Sequence, residues 1–194
     1  MHHLGTCLLE TDRLLLRRFL PQDADSVYRE WASDPEVTKY LTWPAHQSPD
    51  VSRAFVDWCV GRYGDPACYC WVIVWKETLT PIGNISAVKC EEEISAVELG
   101  WALGRAWWGQ GIMTEAARAV IAFFLDRVGA NRVCAGHDVR NLRSGRVMQK
   151  AGMAFEGVHR AAGRNNQGVV DMAVYAILQG DSREAKPDFF PQSP

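Results

Sequence analysis

The sequence predicts an α/β fold of the α+β kind, with a mixed, mostly antiparallel sheet of about seven strands. Three observations predict it. Helical and extended segments interleave irregularly along 194 residues, a length that suits a single domain. Three extended runs between 68 and 103 are joined only by short turns, so they pair antiparallel. A strand–helix–strand unit at 97–138 then needs a right-handed crossover, which makes its two strands parallel if they share the sheet.

The elements follow in order. Residues 14–19 read as a strand that Pro21 ends, and Asp23 stands where it can cap a short helix reaching Trp31. The stretch "SDPEVTKYLTWPAHQSPD" is irregular, with prolines at 35, 44 and 49. A second helix is expected over 49–61, with Ser48 as cap and Pro49 in its first turn. "CYCWVIVW" is continuously apolar and rich in aromatic and β-branched residues, as a central strand is. "PIGNISAVK" and "SAVELGWAL" complete a three-stranded meander. From 111 to 128, Ile112, Ala116, Ala119, Val120 and Phe123 recur at three- and four-residue steps on one helical face. "NRVCAGHDV" is a strand, and "NLRSGRVMQKAG" is a helix with Asn141 as cap and Gly152 as stop. "MAFEGVHRAAG" and "VVDMAVYAIL" form a final hairpin around "RNNQG". One domain is expected over 1–180, with a polar, Pro-rich tail over 181–194.

Composition excludes several function classes. With 47% apolar residues, 23% charged residues and a net charge of −2, nothing draws the chain generally to nucleic acid or to an anionic membrane. No apolar run approaches the ~18 residues of a spanning helix, and the start lacks the pattern of a signal peptide, so the expected location is the cytoplasm. The six cysteines form no C-x-x-C pair and there is no H-E-x-x-H, so reduced, buried thiols are expected and no metal site.

The chemistry concentrates in "LGRAWWGQGIMTEAARAVIAFF". Gly109, Gln110 and Gly111 precede the apolar helix without a Ser, Thr, Asp or Asn cap. A helix start has unpaired N–H groups and a positive dipole end, and glycine lets a bulky anion approach the backbone. A ligand phosphate can therefore take the place of the missing cap; a plain tight turn is the competing reading. No G-K-[ST] follows, so this is no P-loop, and the third glycine of a dinucleotide fingerprint is missing.

"VELGWALGRAWWGQGIMTEA", then "NLRSGRVMQKAGM", together with the opening "LETDRLLLRRFLPQDADSVYREWASDPEVTKYL", resembles the GCN5-related N-acetyltransferases. More narrowly it is similar to the RimJ/RimL-like branch of ribosomal-protein-alanine N-acetyltransferases, over residues 8–179. The resemblance implies helices on both sheet faces, a splayed central parallel pair, and acetyl-coenzyme A as donor without a metal. Its phosphate loop, Q/R-x-x-G-x-G/A, falls on 106–111, with Ala106 in place of the usual Gln or Arg and Arg105 beside it as a substitute. It implies that amides from Trp108 through Gly109, Gln110, Gly111, Ile112 and Met113 to Thr114 hold the pyrophosphate. Trp101 and Leu103 would flank the pantetheine arm, and the Leu103 N–H would meet the thioester oxygen. Asn141 would hold the arm and Ser144 would lie near the sulfur as proton donor, although helix capping alone also accounts for Asn141. Met153 replaces the usual Phe after the helix.

The implied reaction is direct acetyl transfer to a primary amine in a ternary complex. The acceptor is a protein N-terminus or a small molecule. A base must remove a proton, and Glu98 leads because it alternates away from Val97, Leu99 and Trp101; Asp171 is second. A Cys134-linked intermediate is disfavoured because His137 falls on the opposite strand face. The acceptor would enter between "WASDPEVTKYLTWPAH" and "HRAAGRNNQGVVD", where Trp31, Tyr40, Trp43 and Asp171 are the binding candidates and Asp34 or Glu36 would attract a cationic amine. The branch implies a homodimer. The alternative is a non-catalytic acyl-coenzyme A-binding or sensor protein on the same fold.

Overall fold

The computed structural model describes residues 1–181; residues 182–194, nearly all of the expected tail, lie outside the described residues. Eight strands form one sheet in the order β1-β2-β3-β4-β5-β6-β8-β7. They are β1 (Leu9–Glu10), β2 (Leu14–Arg17), β3 (Cys70–Trp75), β4 (Thr80–Glu91), β5 (Ala96–Leu103), β6 (Arg132–Asp138), β7 (Ala154–Asn165) and β8 (Gly168–Leu178). The strand not anticipated is β1, a two-residue antiparallel partner of β2. Pairing is antiparallel except between β5 and β6, as the crossover rule requires.

The helices are α1 (Ala24–Val27), α2 (Pro35–Thr38), α3 (Pro49–Gly61), α4 (Ile112–Phe123) and α5 (Leu142–Lys150). On one sheet face Val97, Leu99 and Leu103 pack with Ile112, Ala116, Val120 and Phe123 of α4. On the other, Val72, Val74 and Ala102 pack with Phe19, Val27, Trp31, Val56 and Cys59. Each fully buried side chain of this size contributes about 1.5–3 kcal/mol relative to exposure. The apolar stripe read from the sequence is the buried face of α4. That helix ends sooner than 128: its last turn, Phe124–Val128, is π-helical and stops at Gly129, whose φ of 74° few other residues adopt.

Two expected caps do not form. Asp23 lies in a 3-10 turn, accepts from the Leu20 N–H and pairs with Arg17 instead of capping α1. Ser48 sits at the start of α3 with no hydroxyl bond to the helix, and Pro49 makes the first turn as expected. All six cysteines are free, but Cys7, Cys90 and Cys134 are only half-buried. Cys59 and Cys70 bring their sulfurs to 3.7 Å across α3 and β3. Among the described residues no helix is long and apolar enough to cross a membrane.

Candidate active site

The parallel pair is short. β5 and β6 are in register only from Ala96–Arg132 to Glu98–Cys134. Beyond it, β5 keeps its ladder with β4, and β6 keeps its ladder with β8. The two central strands therefore diverge, and backbone groups that would have bridged them face a gap. Gly104 donates to the Ile82 carbonyl at 2.9 Å, so the adjacent Leu103 amide points away from β4 and into that gap, by the alternation of an antiparallel ladder. Trp101 shares the phase of Leu103. The Leu103 carbonyl is taken by the Trp108 indole N–H at 2.8 Å, which pins the turn to the strand end.

The turn after β5 explains its glycines. Gly109 and Gly111 have φ of 79° and 77°, the left-handed region that costs an L side chain about 1–2 kcal/mol. Among the described residues no side chain caps α4. The first backbone bond into the helix runs from the Glu115 N–H to the Gly111 carbonyl; of the amides expected to hold the pyrophosphate, that of Trp108 is spent on the Arg105 carbonyl at 3.2 Å, whereas those of residues 109–114 have no partner among the described residues. Ile112 and Met113 bury their side chains in the core and offer only backbone, whereas Thr114 lines the cleft. Gln110 does not line it with its side chain, which folds back onto the Ala106 carbonyl at 3.0 Å. Two residues not singled out in the sequence hold the turn in place: Arg13 donates to the Gln110 carbonyl and, with Thr11, binds Glu115 in the first turn of α4.

A cleft of about 1410 Å³ joins this turn to the gap and runs on to the final hairpin. Glu98, Trp101, Leu103, Trp108, Gly109, Gly111, Asn141 and Ser144 line it. Asn141 caps α5 by accepting from the Ser144 N–H at 3.4 Å, so the capping reading of its Oδ1 holds. The Ser144 hydroxyl has no partner among the described residues. The Arg143 guanidinium stacks on the Trp108 ring at 4.5 Å and bridges α5 to the glycine turn. Glu98 stands opposite Cys134. Burial, and then the Glu98 charge, push the Cys134 thiol above its ordinary range, which keeps it protonated and a poor nucleophile.

At the acceptor end, Tyr40 and Trp43 line the cleft, but two candidates do not. Trp31 is buried in the core, because the turn Tyr28–Ala32 directs it beneath the sheet. Asp171 accepts from the Ala161 N–H at 2.7 Å and fixes the bulge in β7. Asp34 caps α2 and pairs with Arg105 at 2.9 Å, so neither the expected amine attraction by Asp34 nor the expected phosphate role of Arg105 is available. At the end of β6, buried Asp138 accepts two bonds from the Arg140 guanidinium, one from the Arg140 backbone N–H and one from Asn165 at 2.9 Å. Arg140 above all, then Asn165, hold its carboxyl down at about 2.

The description "Acetyltransferase (GNAT) domain" matches residues 13–154. The uncharacterized N-acetyltransferase YnaD of Bacillus subtilis is 32% identical over 171 residues, 88% of this chain and 96% of that protein. A GNAT-family acetyltransferase structure from Bacillus anthracis superposes with a TM-score of 0.80 at 26% identity, over 90% of this chain and all of that one. The microcin C7 self-immunity acetyltransferase MccE, solved with acetyl-CoA and AMP, shares the fold at 21% identity with a TM-score of 0.79, over 87% and 93% of the two chains. The chain belongs to the GNAT acetyltransferase family and is an acyltransferase.

Proposed function

We propose that the protein transfers an acetyl group from acetyl-coenzyme A directly to a primary amine, with both bound at once. One observation carries this reading: a helix start whose six amides, 109–114, lack partners among the described residues opens beside the gap between β5 and β6. That arrangement suits a diphosphate at one end and a narrow peptide-like arm at the other. The donor found with MccE agrees with it. Acetyl-coenzyme A would supply an activated thioester.

The remaining chemistry falls to this chain. The Leu103 N–H is a hydrogen-bond donor for the oxyanion that develops on the carbonyl. Glu98, on the cleft floor, removes the proton an ammonium must lose before it can attack. Ser144, with its hydroxyl unengaged, hydrogen-bonds the departing sulfur and relays to it the second proton that the attacking nitrogen loses. The Cys134 thiol plays no covalent part, because its raised pKa leaves little thiolate at neutral pH.

The test joins calorimetry with coenzyme A to a thiol-release assay over a broad amine and peptide panel. Binding with turnover is expected, and Glu98→Gln should lower kcat by about 10²-fold or more while coenzyme A still binds. Coenzyme binding without turnover would favour the sensor alternative, and no binding at all would end the reading.

A further inference from the structure

The acceptor half of the cleft holds an enclosed hydrogen-bond acceptor at its floor and cations at its mouth. Asn84 on β4 has its Oδ1 buried with no hydrogen-bond partner among the described residues. It faces the cleft opposite Ala102, on the sheet face shared by Ser86, Gly100 and Glu98. An enclosed carbonyl without a donor costs about 1–3 kcal/mol, so a water or a ligand N–H would satisfy it. Asn84 and Glu98 together make a floor that accepts hydrogen bonds from an amine.

The mouth has the opposite polarity. Asn166 donates its side-chain N–H groups to the carbonyls of Thr38 and Trp43, which docks the β7–β8 hairpin onto the loop after α2. This brings Arg164 and Lys39 to the same rim of the cleft as Arg140. Lys39 sits 5.6 Å from the centre of the Tyr40 ring, and neither Lys39 nor Arg164 has an acidic partner among the described residues. Arg140 is held in place by Asp138, which is itself tied to Asn165 beside Arg164. Of the carboxylates lining this end, Asp138 is spent on Arg140, and exposed Glu36 is outnumbered.

We propose that the acceptor is an amine whose molecule also bears an anionic group, a carboxylate or a phosphate. The amine rests on Asn84 and Glu98, and the anion meets Lys39, Arg140 and Arg164. A polyamine would press its extra charge against that cationic rim. This rests on the transferase reading of the same cleft.

The experiment uses matched acceptors: an amino acid against its amide, and an aminoalkyl phosphate against its parent amino alcohol. For each, kcat/KM is measured by thiol release, and binding to the coenzyme A-loaded protein is measured by calorimetry. The anionic member should be preferred at least about tenfold in one pair or both, which also identifies the anion. Lys39→Gln with Arg164→Gln, both unpaired and partly or fully exposed, should erase that preference through KM. Asn84→Ala should weaken both members of a pair alike. Equal or better use of the neutral member overturns the proposal, as does a preference that survives the double variant. If the anionic amine binds preferentially without turnover, the transferase reading fails and what stands is the preference of the cleft for an anion-bearing amine. If no acceptor of either pair binds, this one fails.

Discussion

At the scale of single residues, Ser144 and Cys134 line the same cleft with opposite prospects. The serine hydroxyl is free to donate to a leaving sulfur, whereas the cysteine is held as a neutral thiol by burial and by Glu98. Ser144→Ala should therefore lower kcat by about 10²-fold with coenzyme A affinity preserved, and Cys134→Ser should leave kcat within about threefold. Steady-state kinetics beside calorimetry read both; equal losses from the two substitutions would contradict the assignment. The place of Ser144 in the first turn of α5 was legible because Asn141 caps that helix. Asn84 was not, since one Asn inside a strand looks the same whether its carboxamide is satisfied or stranded. Trp31 misled for a related reason: an aromatic at the end of a short helix shows nothing of which way that end is turned.

At the scale of elements, the glycine turn before α4 was readable from the missing cap and paired glycines, because backbone demands leave a local trace. Its bracing by Arg13 and Thr11 was not, as those residues lie about a hundred positions away. The Asp138 cluster is similar: Arg140 is a near neighbour, but Asn165 arrives only when β7 folds back. Since Asp138 is depressed to about 2 in the folded state, against ~3.9 for a free carboxyl, its charge stabilises the fold above pH ~4. That contribution fades as pH falls through about 2. Asp138→Asn should cost about 1–3 kcal/mol near neutral pH, since Arg140 loses its counter-charge. It should also flatten the decline of stability between pH 4 and 2, followed by urea unfolding. A decline as steep as in the unmodified protein would place the acid-sensitive group elsewhere.

At the scale of the whole molecule, the sheet is sewn tightly on both sides and open in the middle. Beyond Glu98 and Cys134, no ladder joins β5 to β6, so the half containing β1–β5 and the half containing β6–β8 are held there chiefly by α4 and α5 packing. A ligand that binds the 109–114 amides, lies along β5 and contacts α5 would bridge both halves, and unfolding would have to release it. Binding to the native state alone adds RT ln(1 + [L]/Kd), or about 2.7 kcal/mol at a hundredfold excess over Kd. For a chain of this length each kcal/mol raises Tm by about 2–4 °C, so coenzyme A at that excess should raise it by roughly 5–10 °C. Gly111→Val, which places a β-branched residue at a φ of 77°, should remove most of that rise. Glu98→Gln should keep it, because Glu98 stands opposite Cys134 in the parallel pair and not among the 109–114 amides. A shift lost equally in both variants would mean that coenzyme A reaches the cleft by some route other than the helix start.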